Sequence, residues 1–97
     1  MNQTLKMIAK FQAPPSKLEP LREILIGLIE PTQLEEGCLR YELWHNREDE
    51  NELTFVEEWL SDAHLEAHLL TPHIKNLFNE LLKLEIPKPV VMKYQAA

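Results

Sequence analysis

Residues 38–60, CLRYELWHNREDENELTFVEEWL, decide how this chain folds. From Cys38 to His45 the residues Leu39, Tyr41 and Leu43 fall on one parity, and Arg40, Glu42 and Trp44 on the other. That period of two describes a strand with one buried face. Asn46 to Asn51 is polar, carries Arg47, Glu48, Asp49 and Glu50, and reads as a hairpin loop. The second strand of the hairpin, Glu52 to Leu60, alternates poorly. Phe55 and Val56 are consecutive, and Glu57 shares a parity with Leu53, Phe55 and Trp59.

Upstream, Glu35-Glu36-Gly37 forms the turn into this hairpin. Before it, Leu18, Leu21, Leu25, Leu28 and Ile29 keep a helical spacing. Ser16 with Glu19 three residues on has the form of a capping box, with Pro20 as the alternative start. Pro31 kinks or ends this helix. Leu5 to Ala13 alternates, with Leu5, Met7, Ala9 and Phe11 on one parity, and Pro14-Pro15 stops it. Downstream, Ser61 caps a helix through Leu70, and Thr71-Pro72 starts another that carries Leu77, Phe78, Leu81, Leu82 and Leu84. A last strand is expected from about Ile86 to Tyr94, its beginning confined to an edge by Pro87 and Pro89. The order β-α-β-β-α-β is the ferredoxin-like, split βαβ pattern. It makes an α+β fold whose antiparallel sheet has both helices on one face.

Ninety-seven residues suit one domain, 1–97. A chain this short buries only roughly 60–65% of the surface its unfolded form exposes, so its core is thin and association is a common remedy. The uncovered sheet face would carry Ile8, Arg40, Glu42, Trp44, Val56 and Val91, too apolar to be left in water. A homodimer formed by two such faces is therefore expected. Net charge is −6, from 16 acidic against 10 basic residues, which argues against nucleic acid or an anionic membrane as partner. The lone Cys38 excludes an internal disulfide and reads as a buried, inert thiol. No signal peptide or apolar run of spanning length is visible, and a cytoplasmic location is expected.

Chemistry-bearing residues cluster late in the chain. His64 and His68, four apart, share a helix face, and Asp62, Glu66 or His73 could supply a third metal ligand. Without such a set, the two are partly exposed histidines of an amphipathic helix, and no metal site is assigned. His73 follows Pro72 in the first turn of a helix, where the dipole favours a neutral ring able to act as a base. Glu57 and Trp59 point to one face of their strand, and a carboxylate among apolar neighbours needs a partner. Tyr41 can reach the same space. Nucleophile elbows and glycine-rich phosphate loops are absent.

The strings Glu35-Glu36-Gly37-Cys38-Leu39-Arg40-Tyr41, Glu57-Glu58-Trp59 and 63–73, AHLEAHLLTPH, resemble the antibiotic biosynthesis monooxygenase domain, and within it the small bacterial quinol monooxygenase type. The resemblance spans nearly the whole chain. It implies a dimeric α/β barrel with a pocket between sheet and helices in each subunit. It also implies oxidation of a small aromatic or quinol-like compound with O2, without flavin, haem or metal. His73, Trp59 and Glu57 are the catalytic candidates that follow, with Tyr41, His64 and His68 as substrate-binding candidates. Haem-degrading relatives carry a Trp and, ten residues on, an axial His; His68 and Phe78 stand there instead. Polyketide-oxidising members use an Asn before the strand Trp and a Tyr after it, where this chain has Phe55 and Leu65. The scaffold also hosts isomerase-like processing of signal molecules and non-catalytic binding or stress-response modules.

Overall fold

The structure, a computed structural model, describes residues 4–97, so residues 1–3 of the expected single domain lie outside the described residues. The elements are β1 (Leu5–Gln12), a 3-10 turn (Pro15–Lys17), α1 (Leu18–Ile26), α2 (Ile29–Gln33), β2 (Cys38–His45), β3 (Glu52–Trp59), α3 (Asp62–Leu69), α4 (Pro72–Leu84) and β4 (Val90–Tyr94). The strands form one antiparallel sheet in the order β2-β3-β1-β4, the ferredoxin-like arrangement.

β1 and β3 are central, and their registry puts Met7 opposite Glu57, Ala9 opposite Phe55 and Phe11 opposite Leu53. Facing residues in an antiparallel ladder share a side of the sheet. This side is the one that meets the helices, and it holds Met7, Ala9, Phe11, Tyr41, Leu53, Phe55 and Trp59 in the core. Leu21 and Leu25 of α1, Leu65 of α3, and Ile74, Leu77 and Leu81 of α4 close over it. β3 alternates strictly after all, every second residue from Leu53 to Trp59 being buried. Its pattern looks broken in the sequence because one outward position is the apolar Val56 and one inward position is the carboxylate Glu57.

Four local expectations are corrected. Ser16 makes no side-chain cap: it lies in the 3-10 turn, and α1 begins at Leu18 with Pro20 in its first turn. The first helix breaks before Pro31 rather than at it. A continuous helix would need the missing N–H of Pro31 to bond the Gly27 carbonyl. Instead α2 restarts with Pro31 in its first turn and with Thr32 N–H donating to Leu28 O at 3.1 Å. In β2 a bulge between Cys38 and Arg40 throws Leu39 out of the alternation, leaving it half exposed. Val91 pairs with Ala9 and so lies on the helix side, while Ile8 pairs with Met92. The uncovered face therefore takes Val90, Met92 and Tyr94 from β4, together with Ile8, Arg40, Glu42, Trp44 and Val56. Among the described residues no helix is long and apolar enough to cross a membrane.

Candidate functional site

β2 and β3 build the floor. Tyr41 and Glu57 face each other across the ladder, and Trp59 lies two residues beyond Glu57 on the same side. The Trp59 indole N–H donates to Glu57 Oε1 at 2.9 Å. Glu57 is otherwise set among apolar groups and is only 3% exposed. Removal of water raises its pKa to about 7; the indole bond opposes this rise, and the nearby charge of Glu35 adds to it. Burial likewise pushes the Tyr41 phenol far up, with Glu57 contributing, so this hydroxyl stays protonated.

Two helices and a loop build the roof. Ser61 caps α3, its hydroxyl accepting from His64 N–H, and Thr71 caps α4 by accepting from Ile74 N–H. The sharp turn between the helices is tied by the Thr71 hydroxyl, which donates to His68 O at 2.7 Å. The turn brings the His68 and His73 rings to 6.1 Å between centroids. Glu35, in the loop between α2 and β2, reaches both: its Oε2 lies 2.8 Å from His68 Nδ1 and 2.7 Å from His73 Nε2. As a carboxylate Glu35 only accepts, so both imidazoles donate to it, and His68 keeps its proton on Nδ1. The lone pair of His68 Nε2 is then free, and among the described residues that atom has no hydrogen-bond partner. His68 lies tilted over Trp59, with ring centroids 4.6 Å apart, and its edge approaches Tyr41. Burial lowers its pKa, against the pull of the Glu35 bond, so the ring is neutral at pH 7.

Floor and roof enclose a cavity of about 60 Å³. Tyr41, Glu57 and His68 give it polar groups, in a wall otherwise made by Met7, Ala9, Phe11, Phe55, Ile74 and Leu77. Leu69, Phe78, Pro89 and Val91, at least partly exposed, form its rim between the helices and the β4 edge.

The structure thus brings together Tyr41, Glu57, Trp59, His68 and His73. Of these, Trp59 stands behind Glu57 and His73 stands behind Glu35; neither lines the cavity. His64 is not part of the group. Its Nδ1 bonds the Ser61 hydroxyl at 2.7 Å, and its ring packs over Gly37, where an added Cβ would come within 2.3 Å of it. The half-buried Cys38 thiol is pushed up to about 11, chiefly by burial, which suits an inert group. Glu35 was not among the residues singled out from sequence. Its signals in the sequence are its place in the 35–41 string and its position two residues before the turn glycine Gly37, whose φ of +83° fixes the loop. The helical His64/His68 pairing is not the metal-like grouping found; Glu35, His68 and His73 place three ligand atoms within 4.8 Å of one another.

A family model described as antibiotic biosynthesis monooxygenase matches residues 4–80. The "Putative monooxygenase Rv0793" of Mycobacterium tuberculosis is 32% identical over 92 residues, covering 95% of this chain and 89% of that protein. The solved structure of Rv0793 superposes with a TM-score of 0.88 at 27% identity, covering 97% of this chain and 95% of the other. PA3566 from Pseudomonas aeruginosa superposes with a TM-score of 0.90 at 30% identity, covering 100% of this chain and 97% of that one.

Proposed function

Because the chain belongs to the antibiotic biosynthesis monooxygenase family, we propose that it oxidises a small quinol-like or phenolic compound with O2, using no cofactor. The observation that carries this reading is the pairing of Glu57 and His68 on one apolar cavity, with His68 held in its basic tautomer by Glu35. His68 Nε2 takes the phenolic proton. The resulting anion passes one electron to O2; superoxide and the phenoxyl radical combine, and the ring peroxide collapses to a quinone with loss of water. One phenol and one O2 give one quinone and one water. Glu57, with a pKa of about 7, exchanges the proton that the peroxide step needs. His73, partly exposed, donates to the same Glu35 oxygen and helps hold that carboxylate against His68, and Trp59 holds Glu57 in place. Tyr41, protonated and stacked on Phe55 with ring centroids 4.3 Å apart, forms an aromatic wall for the substrate ring.

The cavity is smaller than the roughly 300 Å³ lower bound usual for ligand pockets. Entry of a phenol therefore requires Leu69 and Phe78 at the rim to swing outward. An oxygen electrode with a panel of quinols and phenols tests the reading. Uptake of one O2 per quinone formed is expected, with kcat reduced about 10²–10⁴-fold in His68→Gln. Absence of uptake with every substrate, or an unchanged rate in His68→Gln, overturns it. The same acid–base pair also suits an isomerase-like proton transfer on an oxygenated signal molecule. Turnover under argon identifies that reaction, which the oxidative one forbids.

The uncovered sheet face is proposed to pair with a second copy of the chain. Trp44, Val90 and Tyr94 are about half exposed there, interleaved with Lys6, Lys10, Arg40, Glu42 and Glu58, so two copies related by a two-fold axis offer apolar surface and opposite charges to each other. A monomeric sedimentation profile at micromolar concentration contradicts it.

A further inference from the structure

We infer that Glu35, His68 and His73 form a binding site for a divalent transition metal ion, Zn²⁺ in particular, and that the ion switches the proposed base off. Two imidazoles and a carboxylate are a donor set that Zn²⁺ accepts with one open position. In a tetrahedral site with bonds of about 2.0–2.1 Å, ligand atoms stand about 3.3 Å apart. Here Glu35 Oε2 lies 2.8 and 2.7 Å from the two nitrogens, and all three atoms fall within 4.8 Å. A retreat of the Glu35 carboxylate by about half an ångström opens the centre of the triangle. The donors come from three separate segments, each already fixed. His68 is held by Trp59 beneath it, His73 by the capped start of α4, and Glu35 by its backbone bonds to Thr32 and Cys38. Little ordering remains for the ion to impose. Glu35 and His73 are partly exposed, which leaves a path from solvent and a place for a fourth, water ligand.

The switch follows from the tautomer. A metal on His68 needs the lone pair of Nδ1, so the ring's remaining proton must move to Nε2. Nε2 is the ring's free acceptor when Glu35 holds the Nδ1 proton, and it is the atom to which the reading above gives the phenolic proton. Metal binding turns it into a donor, and the imidazole can no longer remove a phenolic proton. Binding itself rests only on the three side chains; its inhibitory effect rests on the monooxygenase reading above.

Titration calorimetry with Zn²⁺ on tag-free protein tests the site, without any need for activity. One saturable ion per chain is expected. Affinity should fall more than about tenfold in Glu35→Gln and in His73→Ala, and should survive in His64→Ala. No saturable binding, or binding lost in His64→Ala but kept in Glu35→Gln, overturns the site. A measurement on the unaltered chain guards against variants that fail to fold. Nitrogen-15 imidazole spectra should show His68 passing from the Nδ1–H to the Nε2–H form as Zn²⁺ is added; an unchanged tautomer at saturation overturns the switch. In an active preparation, turnover should fall with the same half-saturation as binding. Full turnover with the site saturated also overturns the switch, whereas binding without activity towards any substrate tells against the monooxygenase reading alone.

Discussion

Glu57→Gln separates the cost of burying this carboxyl from everything else that changes with pH. The native side chain has a pKa of about 7, against an ordinary value of 4.5. Between those two values the folded chain holds a proton that the unfolded chain releases, so stability falls as pH rises. The contribution is fully present below pH 4.5 and gone above about pH 7. The gap of about 2.5 pH units corresponds to roughly 3 kcal/mol at 1.36 kcal/mol per unit. His68 works in the opposite sense. Its pKa is lowered in the fold, so its own contribution grows as pH rises towards 6.5 and partly masks Glu57 in the native profile. The difference between native and Glu57→Gln protein cancels that term. Gln can still accept from the Trp59 indole, but its amide brings new N–H donors, a pH-independent penalty of about 1–3 kcal/mol. The expected result is a variant less stable at pH 5 that gains up to roughly 3 kcal/mol on the native chain by pH 8. Urea unfolding followed by circular dichroism across pH 5–8, at constant ionic strength, reads this directly. Two stability profiles that run parallel over that range would refute the reasoning.

Three further outcomes follow from single contacts. Gly37→Ala should destabilise by at least about 1–3 kcal/mol, since φ is +83° and the new Cβ would meet the His64 ring, and His64→Ala should restore part of the loss in the double variant. Chemical denaturation of the four proteins in that cycle measures it. Trp59→Phe removes the indole N–H that donates to Glu57 Oε1, so the carboxyl titration followed by carbon-13 resonance should move above pH 7, with stability reduced by about 1–3 kcal/mol. Thr71→Ala loses the α4 cap and the tie to His68 O, and should cost about 1 kcal/mol in thermal or urea unfolding, with Thr71→Ser recovering most of it.

The fold was legible because its strands carry one buried face and its helices another period. Leu5–Gln12 shows the alternation outright, Cys38–His45 keeps Tyr41 and Leu43 on the helix side beyond its bulge, and Thr71-Pro72 announces α4. Where the reading slipped, a local departure from regular geometry was responsible. The bulge at Cys38/Arg40 shifts the parity of Leu39, and nothing in the residue types marks it. Val91 and Met92 are both apolar, so the face of a five-residue edge strand is decided by its pairing with β1 and not by its pattern. Within the site, Glu57 and Trp59 were legible as neighbours because a strand puts i and i+2 on one side.

Glu35 was beyond that kind of reading for a different reason. Helical and strand periods relate residues a few positions apart, and they suggested His64 with His68. The bonds that form instead link positions 33 and 38 residues apart, from a loop to the end of one helix and the start of the next. Ser61 takes the His64 ring for itself, and the turn at Thr71 supplies His73 in its place. Loop geometry therefore chooses which imidazoles meet. Gly37 is the hinge of that choice, since only a left-handed residue without a Cβ lets the loop pass under His64 and still present Glu35 to His68. If so, Gly37→Ala should disturb the site as well as the stability: the His68 Nδ1 proton, held by Glu35 in the native chain, should exchange with solvent at least about tenfold faster, as expected where a bond worth about 1.4 kcal/mol or more is lost. Unchanged exchange in a folded Gly37→Ala protein would show that Glu35 finds its partners without the turn.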